Sequence, residues 1–542
     1  MKIGKIMGIL EFKRRHLELV LSAEADIEEV YYMNDLPWVI GYSGGKDSTC
    51  TTQLIVNTLL KLKNEGKELH KPVYVISSDT LVETPMIVST IHNTITSINE
   101  LAKNNDIPVS AHIIRPSFDN TFWTNLIGKG YPCPNQKFRW CTDRMKINPA
   151  NQFIMSIVDK YGEAVMILGV REGESNSRDQ VLENHTIQGK KLMRHTTMAN
   201  AYVFAPIRRF DIEDVWNYLL ENESPWGADN KELYNLYKES VEDCPLIIDK
   251  ETKEQATCGN SRFGCWVCTV VSKDKSLTSF IEKGETWLLP LLEFRNWLYL
   301  NRDNESIRMR RRMDGSIYFS KIKVISDEEV VIPAKGGKKK ITIKYLDNQW
   351  VDDNGNVWTL FEGVDSEDRA KQFIAQRNVN LSDGSTPRIL IKTIDDEVKQ
   401  LGSGPFTLEG RKLILKKLLE LQKVIGDRYQ LYKLEELLEI RKIWFTEGML
   451  DDEVSKLFYE INGYELPNIV NDDIKLFDNG DMELLNKICS RKEFNFSLMH
   501  SILNLEKKYM GYNNRQEVNK QLRKILSQEF VHVENGSDFD ED

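Results

Sequence analysis

No stretch of the chain approaches the roughly 20 consecutive apolar residues that a membrane helix needs. The opening Met1-Lys2-Ile3-Gly4-Lys5 leads into no long apolar segment of the secretory kind, so a cytoplasmic protein with no membrane partner is expected. Cysteine is scarce: eight in 542 residues are too few for a disulfide scaffold, and their clustering points instead to metal or redox chemistry. An excess of positive charge is also missing. The formal net charge of −10 argues against indiscriminate nucleic-acid binding while leaving local basic patches open. No internal repeat is evident. What remains is globular material, 41% hydrophobic and 28% charged. Its length suits roughly three or four domains.

Two common phosphate signatures are absent as well. There is no G-x-x-x-x-G-K-[ST] loop, and no G-x-G-x-x-G at the turn where one would be sought. That turn follows the apolar run Pro37-Trp38-Val39-Ile40-Gly41-Tyr42 and reads Ser43-Gly44-Gly45-Lys46-Asp47-Ser48-Thr49. Helical apolar spacing then runs from Thr51 to Leu60. A strand ending in a glycine turn at a helix N-terminus is an anion site. The glycines let backbone N–H groups approach the ligand, the helix dipole favours negative charge, and Ser43, Lys46 and Ser48 add donors and charge. The residues alone also allow an ordinary glycine turn.

Further strands are expected at residues 72–80, 109–114 and 164–170, with helical sequence at 84–103. Strands alternating with helices build a parallel α/β sheet covered on both faces, with ligands beyond the carboxyl ends of the strands. Asp79 and Thr80 follow one strand; Arg171, Glu172, Glu174, Ser175 and Arg178 follow another. Singly, Asp79 could cap a helix and the arginines could form surface ion pairs. Together at one sheet edge they suggest a nucleotide site.

Cys258-x6-Cys265-x2-Cys268 lies in a glycine-bearing loop, and Cys141 stands upstream in Arg139-Trp140-Cys141-Thr142-Asp143-Arg144. Four thiolates would hold zinc or an iron–sulfur cluster, and spacing does not separate the two. A zinc ribbon normally draws on a second C-x2-C pair, which the chain lacks, so iron–sulfur leads over zinc, a redox pair or buried free thiols. Cys50 and Cys489 read as core residues. Cys133, between Pro132 and Pro134, could be an alternative ligand, a sulfur-carrying thiol or a plain loop cysteine.

The S-G-G-K-D-S turn resembles the pyrophosphate loop (PP-loop) of the N-type ATP pyrophosphatases, whose domain is adenine nucleotide alpha hydrolase-like. Gly169-Val170-Arg171-Glu172-Gly173-Glu174-Ser175-Asn176-Ser177-Arg178 is similar to a stretch of the phosphoadenylyl-sulfate reductase branch of that family. Ser78-Asp79-Thr80, with Glu83 and Pro85, looks like its adenosine-side turn, and residues 206–219 look like its closing strand and helix. The resemblance implies ATP with Mg²⁺, and catalytic work by Ser43, Lys46, Asp47 and Ser48. ATP would also be bound by Gly44, Gly45, Ser78, Asp79, Thr80, Gly169, Arg171, Ser175 and Arg178.

The Arg-Trp-Cys-Thr-Asp-Arg segment followed by the three-cysteine loop resembles the DndC family, the sulfurtransferases of bacterial DNA phosphorothioation. That resemblance implies a 4Fe-4S cluster on Cys141, Cys258, Cys265 and Cys268, DNA as substrate, a cysteine desulfurase as sulfur donor, and other proteins of the phosphorothioation system as partners. It further implies adenylylation of a DNA backbone phosphate, with sulfur delivered as a persulfide or held at the cluster. The alternatives are tRNA thiolation by a cluster-dependent PP-loop enzyme and a non-catalytic nucleotide-binding scaffold. Reductive cleavage of adenylyl sulfate ranks lower, because those reductases use a cysteine in a C-terminal tail and none follows Cys489.

The later half offers fewer landmarks. Short strands with turns are expected from residue 316 to 361, and amphipathic helices from 408 to 526. The basic clusters Arg308-Met309-Arg310-Arg311-Arg312 and Lys338-Lys339-Lys340 could meet nucleic-acid phosphates or simply be solvated. The expected organisation is a helical segment (1–36), a PP-loop domain (37–245), a cysteine-rich cluster-binding region (246–312), a β-rich region (313–405), a helical C-terminal domain (406–532) and a disordered acidic tail (533–542).

Overall fold

β1, Trp38–Gly41, is buried and apolar because it pairs in parallel on both sides, with β2 (Val73–Ser78) and β4 (Ala164–Ile167). In the computed structural model it lies inside a six-stranded sheet of order β3-β2-β1-β4-β6-β5. β3 is Val109–Ile114, β5 Met193–Arg194 and β6 Ala201–Phe204; every pairing is parallel except the short edge strand β5 against β6. The structure describes residues 2–136, 138–173, 191–194, 198, 200–240, 264–310, 312, 317–326, 329–332, 341–346, 349–352, 355, 357–364, 388–395, 397–447, 451–466, 479–491, 495–508, 522, 523, 525 and 526.

The chain divides into two compact units. The first comprises Met1–Ser117, Arg139–Cys268 and Asp274–Leu292, and holds the parallel sheet. Alternation along β1 decides its two faces. Trp38 and Ile40 pack among residues of α1 (Lys2–Tyr32), α2 (Lys46–Asn64) and α3 (Pro85–Asn104), whereas Val39 packs against Ile154, Ile157 and Val158 of α4 (Asn148–Tyr161). The sheet order reverses direction at β1, so the crevice beyond the carboxyl ends of β1 and β4 is where such a sheet receives its ligand.

The strand sought at residues 206–219 lies a few residues earlier, as β6. Pro206 has no N–H for the ladder, residues 206–209 turn, and α5 (Ile212–Glu221) begins behind Asp211. Asp211 accepts the Asp214 N–H at 2.8 Å, and the Asp214 carboxylate accepts the Asp211 N–H at 3.0 Å. α6 (Asn230–Ser240) and α7 (Lys275–Glu282) follow. Lys71 closes the carboxyl end of α1: its ammonium donates to the Asn34 carbonyl at 3.0 Å and lies over the rings of Tyr31 and Trp38. Burial lowers its pKa to about 8.

The second unit comprises Phe118–Phe138, Thr269–Lys273 and the chain from Glu293 onward. α8 is Leu289–Asn301. An eight-stranded sheet follows: β7 Phe319–Lys321, β8 Lys323–Ser326, β9 Glu329–Ile332, β10 Ile341–Leu346, β11 Gln349–Asp352, β12 Val357–Val364, β13 Arg388–Thr393 and β14 Val398–Leu401. Its order is β7-β14-β13-β12-β11-β10-β9-β8, and among the described residues only the β12–β13 pairing is parallel. β structure thus extends past residue 361.

Among the described residues the helices α9 (Leu408–Ile425), α10 (Leu434–Thr446), α11 (Glu453–Asn462), α12 (Asn479–Arg491) and α13 (Phe496–Lys508) follow. α9 and α11 stop at Gly426 and Gly463. The 118–138 segment is locked among these helices, with the Trp123 indole donating to the Leu431 carbonyl at 2.8 Å and the Trp444 indole to Ile127 at 3.1 Å. Arg308 and Arg310 are buried, unlike residues of a phosphate-binding surface. The Arg308 guanidinium donates to the Gly404 carbonyl at 2.7 Å, and that of Arg312 lies over the Tyr318 ring. Arg311, the lysine run at 338–340 and the acidic tail lie outside the described residues. Among the described residues no helix is long and apolar enough to cross a membrane.

Candidate functional site

The turn after β1 has the form its residues imply. Gly44 sits at φ +70°, where a side chain would be strained, and Gly45 is the extended residue before α2. The first backbone bond of α2 runs from Thr49 N–H to the Gly45 carbonyl at 2.9 Å, so the N–H groups upstream remain to be satisfied from outside the helix. Ser48 braces the turn. Its hydroxyl donates to the Gly45 carbonyl at 2.9 Å, accepts the Ser43 N–H at 3.2 Å and lies 3.0 Å from the Ser43 hydroxyl.

Asp47 is spanned by two cations. The Lys46 ammonium donates to one of its oxygens at 3.0 Å, and the Arg171 guanidinium, from beyond β4, donates to the other at 2.6 Å. Arg171 is buried, so this bond joins the ends of β1 and β4. Two positive charges against one negative leave the cradle cationic, as an incoming polyphosphate requires. Gly169 explains the fit: a Cβ there would lie 2.7 Å from the Asp47 carbonyl oxygen and 3.0 Å from Ser48 N. Ser175 and Arg178 lie outside the described residues.

At the end of β2, Ser78 is half-buried and Asp79 and Thr80 are buried. Asp79 does not cap α3. Its carboxylate accepts the Leu81 N–H at 2.9 Å, in a turn where Leu81 adopts φ +65°, and the Arg115 guanidinium at 2.9 Å.

This same turn carries the cysteine loop. Val82 accepts the Trp266 N–H at 3.0 Å, and the Thr84 hydroxyl donates to the Gly264 carbonyl at 2.9 Å. The Thr80 hydroxyl donates to Glu83 at 3.1 Å and lies 3.4 Å from the Cys265 sulfur. Lys146 reaches in to pair with Glu83 at 2.9 Å. The turn at the carboxyl end of β2 and the thiol loop therefore share one mount, residues 79–84.

Cys265 and Cys268 share a tight turn, with the Cys268 N–H donating to the Cys265 carbonyl at 3.0 Å. Burial, then Glu83, raises the Cys265 pKa well above that of a free thiol; burial, then Cys268, raises that of Cys141. The three thiols thus neighbour one another in one unit. As soft donors their chemistry suits a thiolate-held zinc or iron–sulfur group. Among the described residues, however, no set of three or more His, Cys, Asp or Glu closes to metal-ligand spacing. Cys258 lies outside the described residues, as does Cys244.

Cys50 is fully buried beneath the loop. Cys489 is buried on α12. Cys133 is buried in the second unit, where burial pushes its pKa up to about 12; it is therefore a poor thiolate nucleophile as it stands. Sequence reasoning missed Lys146, Arg115 and Tyr237. Tyr237 lies on α6, with the Lys46 ammonium 5.2 Å from its ring centre. Nothing in their local patterns marks them, since each becomes a neighbour only through folding.

Comparison with known proteins adds a domain match over part of the chain. Residues 37–271 match the phosphoadenosine phosphosulfate reductase domain. An uncharacterized protein of Methanocaldococcus jannaschii is 26% identical over 309 residues, covering 54% of this chain and 51% of that protein. The chain thus spans about half the length of this curated relative. Among solved structures, the U34-tRNA thiolase NcsA of Methanococcus maripaludis, with its [4Fe-4S] cluster, is similar at a TM-score of 0.25 and 10% identity, over 45% of this chain and 76% of that one. The FMN adenylyltransferase of Candida glabrata, with FMN and an ATP analogue, reaches a TM-score of 0.26 and 12% identity, over 43% and 63%. Likenesses of that size carry no argument about activity. The family match and the switch-point glycine turn agree on residues 37–271: they form a phosphoadenosine phosphosulfate reductase-like PP-loop domain.

Proposed function

We propose that the chain is an ATP-dependent sulfurtransferase that adenylylates a DNA backbone phosphate, releases pyrophosphate and replaces a non-bridging oxygen with sulfur. The observation that carries the ATP chemistry is the cationic turn at the sheet's switch point, where Lys46 and Arg171 flank Asp47 above the start of α2. In the first step a non-bridging phosphate oxygen attacks the α-phosphorus of ATP, and the bond to the β-phosphate breaks. Ser43, Lys46, Ser48 and the turn N–H groups bind the departing pyrophosphate where its charge grows. Asp47 keeps Lys46 and Arg171 in position, and the Asp79–Thr80 turn faces the adenosine side.

In the second step a sulfur nucleophile at the sulfide level displaces AMP, which leaves with the former phosphate oxygen. A cysteine desulfurase with a reductant would supply that sulfur. Cys141, Cys258, Cys265 and Cys268 are the residues that would hold a four-iron cluster, whose part when bound would be to accept or pass on sulfur. Mg²⁺ accompanying ATP would share the pyrophosphate charge. The DNA substrate and the partners rest on the resemblance of the Arg139–Arg144 segment and cysteine loop to the DndC family.

Pyrophosphate release with duplex DNA, tRNA or neither tests this reading, together with anaerobic iron and zinc analysis. DNA-stimulated release, abolished by Ser43→Ala or Asp47→Ala, and about four irons per chain are expected. Release stimulated by tRNA alone would indicate base thiolation. No release under any condition would leave a nucleotide-binding scaffold, and one zinc without iron would reduce the cysteine loop to structure.

A further inference from the structure

The phosphate cradle already has an occupant from its own chain. Lys46 is the first residue of α2, so its backbone N–H is one of the orphan donors of the helix start, and Gly45 offers no side chain to satisfy it. That N–H donates to the hydroxyl of Tyr237 on α6, at 3.3 Å. The same hydroxyl would lie 3.1 Å from a Cβ placed on Gly45, which sets it directly against the turn. The Lys46 ammonium sits 5.2 Å from the Tyr237 ring centre, and Trp216 of α5 holds the ring edge-on, with centroids 5.2 Å apart and an angle of 73°. Both the backbone donor and the side-chain cation of Lys46 are therefore engaged by one residue from a distant part of the sequence.

We propose that Tyr237 is an internal ligand of the cradle, its hydroxyl holding the Lys46 N–H until an oxygen of ATP or pyrophosphate replaces it. The inference rests on the phosphate reading of the loop. The exchange runs toward the ligand because a hydrogen bond to a charged phosphate oxygen is stronger than one to a neutral phenol. The phenol keeps the orphan donor satisfied in the empty state, and its displacement subtracts one neutral hydrogen bond from the affinity of every phosphate ligand. Tyr237 thus positions Lys46 and sets the threshold for binding. It is not a catalytic residue.

The test is calorimetric titration of the full-length chain with inorganic pyrophosphate and Mg²⁺, using wild type, Tyr237→Phe and Ser43→Ala. Tyr237→Phe keeps the ring over Lys46 and removes only the competing oxygen, so it should bind pyrophosphate about 2- to 10-fold more tightly. Tighter binding is not what a damaged fold would produce. Equal or weaker binding by Tyr237→Phe would overturn the inference, since the hydroxyl would then be a spectator or a ligand of the bound state. Ser43→Ala reports on the loop separately. If it binds as wild type does, or if no protein binds, the phosphate reading fails, and the inference with it.

Discussion

Gly169 and Asp47 show how little room the turn of residues 43–48 leaves. A methyl group at Gly169 would meet the Asp47 carbonyl oxygen at 2.7 Å, and backbone cannot swing aside as a side-chain tip can. Gly169→Ala should therefore push the loop off β4 and weaken ATP binding by about 5- to 150-fold, for a strain of ~1–3 kcal/mol. Calorimetry with ATP checks this, and unchanged affinity would mean the loop is not seated on Gly169. The value of Gly169 to the sequence reading was only that of a motif position. The contact behind it joins residues 122 positions apart, 47 and 169, and no local pattern encodes it.

Among the elements, the turn between β2 and α3 matters most, because it meets Arg115 with Asp79 and the thiol loop with Thr80 and Thr84. Thr84→Val keeps the side chain's shape but removes the hydroxyl that donates to the half-buried Gly264 carbonyl. It should cost ~0.5–1.5 kcal/mol. Cys265 should then alkylate faster in the metal-free chain, as thiol-labelling kinetics would report; an unchanged rate would mean that the bond does not hold the loop. Trp266 is fully buried beside it, and Trp266→Ala should cost ~3–5 kcal/mol in chemical denaturation. The strand, glycine turn and helix around Ser43 were legible in the sequence because their signals are local and periodic. The shared mount was not, because it depends on residues 80–84 meeting 264–266.

At the scale of the whole molecule, pH and salt offer tests that a single contact does not. Glu436, on α10, is buried, and burial raises its pKa from 4.5 to about 7. The folded state therefore holds a proton that the unfolded state releases between those values. The stability this contributes is complete at low pH and is lost as pH rises from 4.5 through about 7. Urea midpoints should fall over that window, and Glu436→Gln, which stays neutral, should flatten the profile and be the more stable form at pH ~8. If DNA is the substrate of a chain with net charge −10, its binding must come from a local patch. DNA-stimulated pyrophosphate release should then decline steeply between ~50 and ~200 mM salt, while release without DNA should not.

The sequence by itself determined the nature of the first unit. An apolar strand, two glycines, a lysine and two serines are a local arrangement whose chemistry follows from backbone geometry. The alternation of strands and helices then dictates a parallel sheet with its ligand edge at the carboxyl ends. Tertiary structure alone decided which groups complete the site. Arg171 on Asp47, Tyr237 on Lys46, and the cysteine loop on the Asp79–Thr84 turn are pairings between segments far apart in sequence, selected by which strands lie side by side. It also decided where two arginines of the basic cluster near residue 308 lie. Charge along the chain allows a solvated or phosphate-binding run, but burial takes Arg308 and Arg310 into the second unit's interior while Arg312 stays exposed. Periodicity reports which face an element buries, and only packing reports against what.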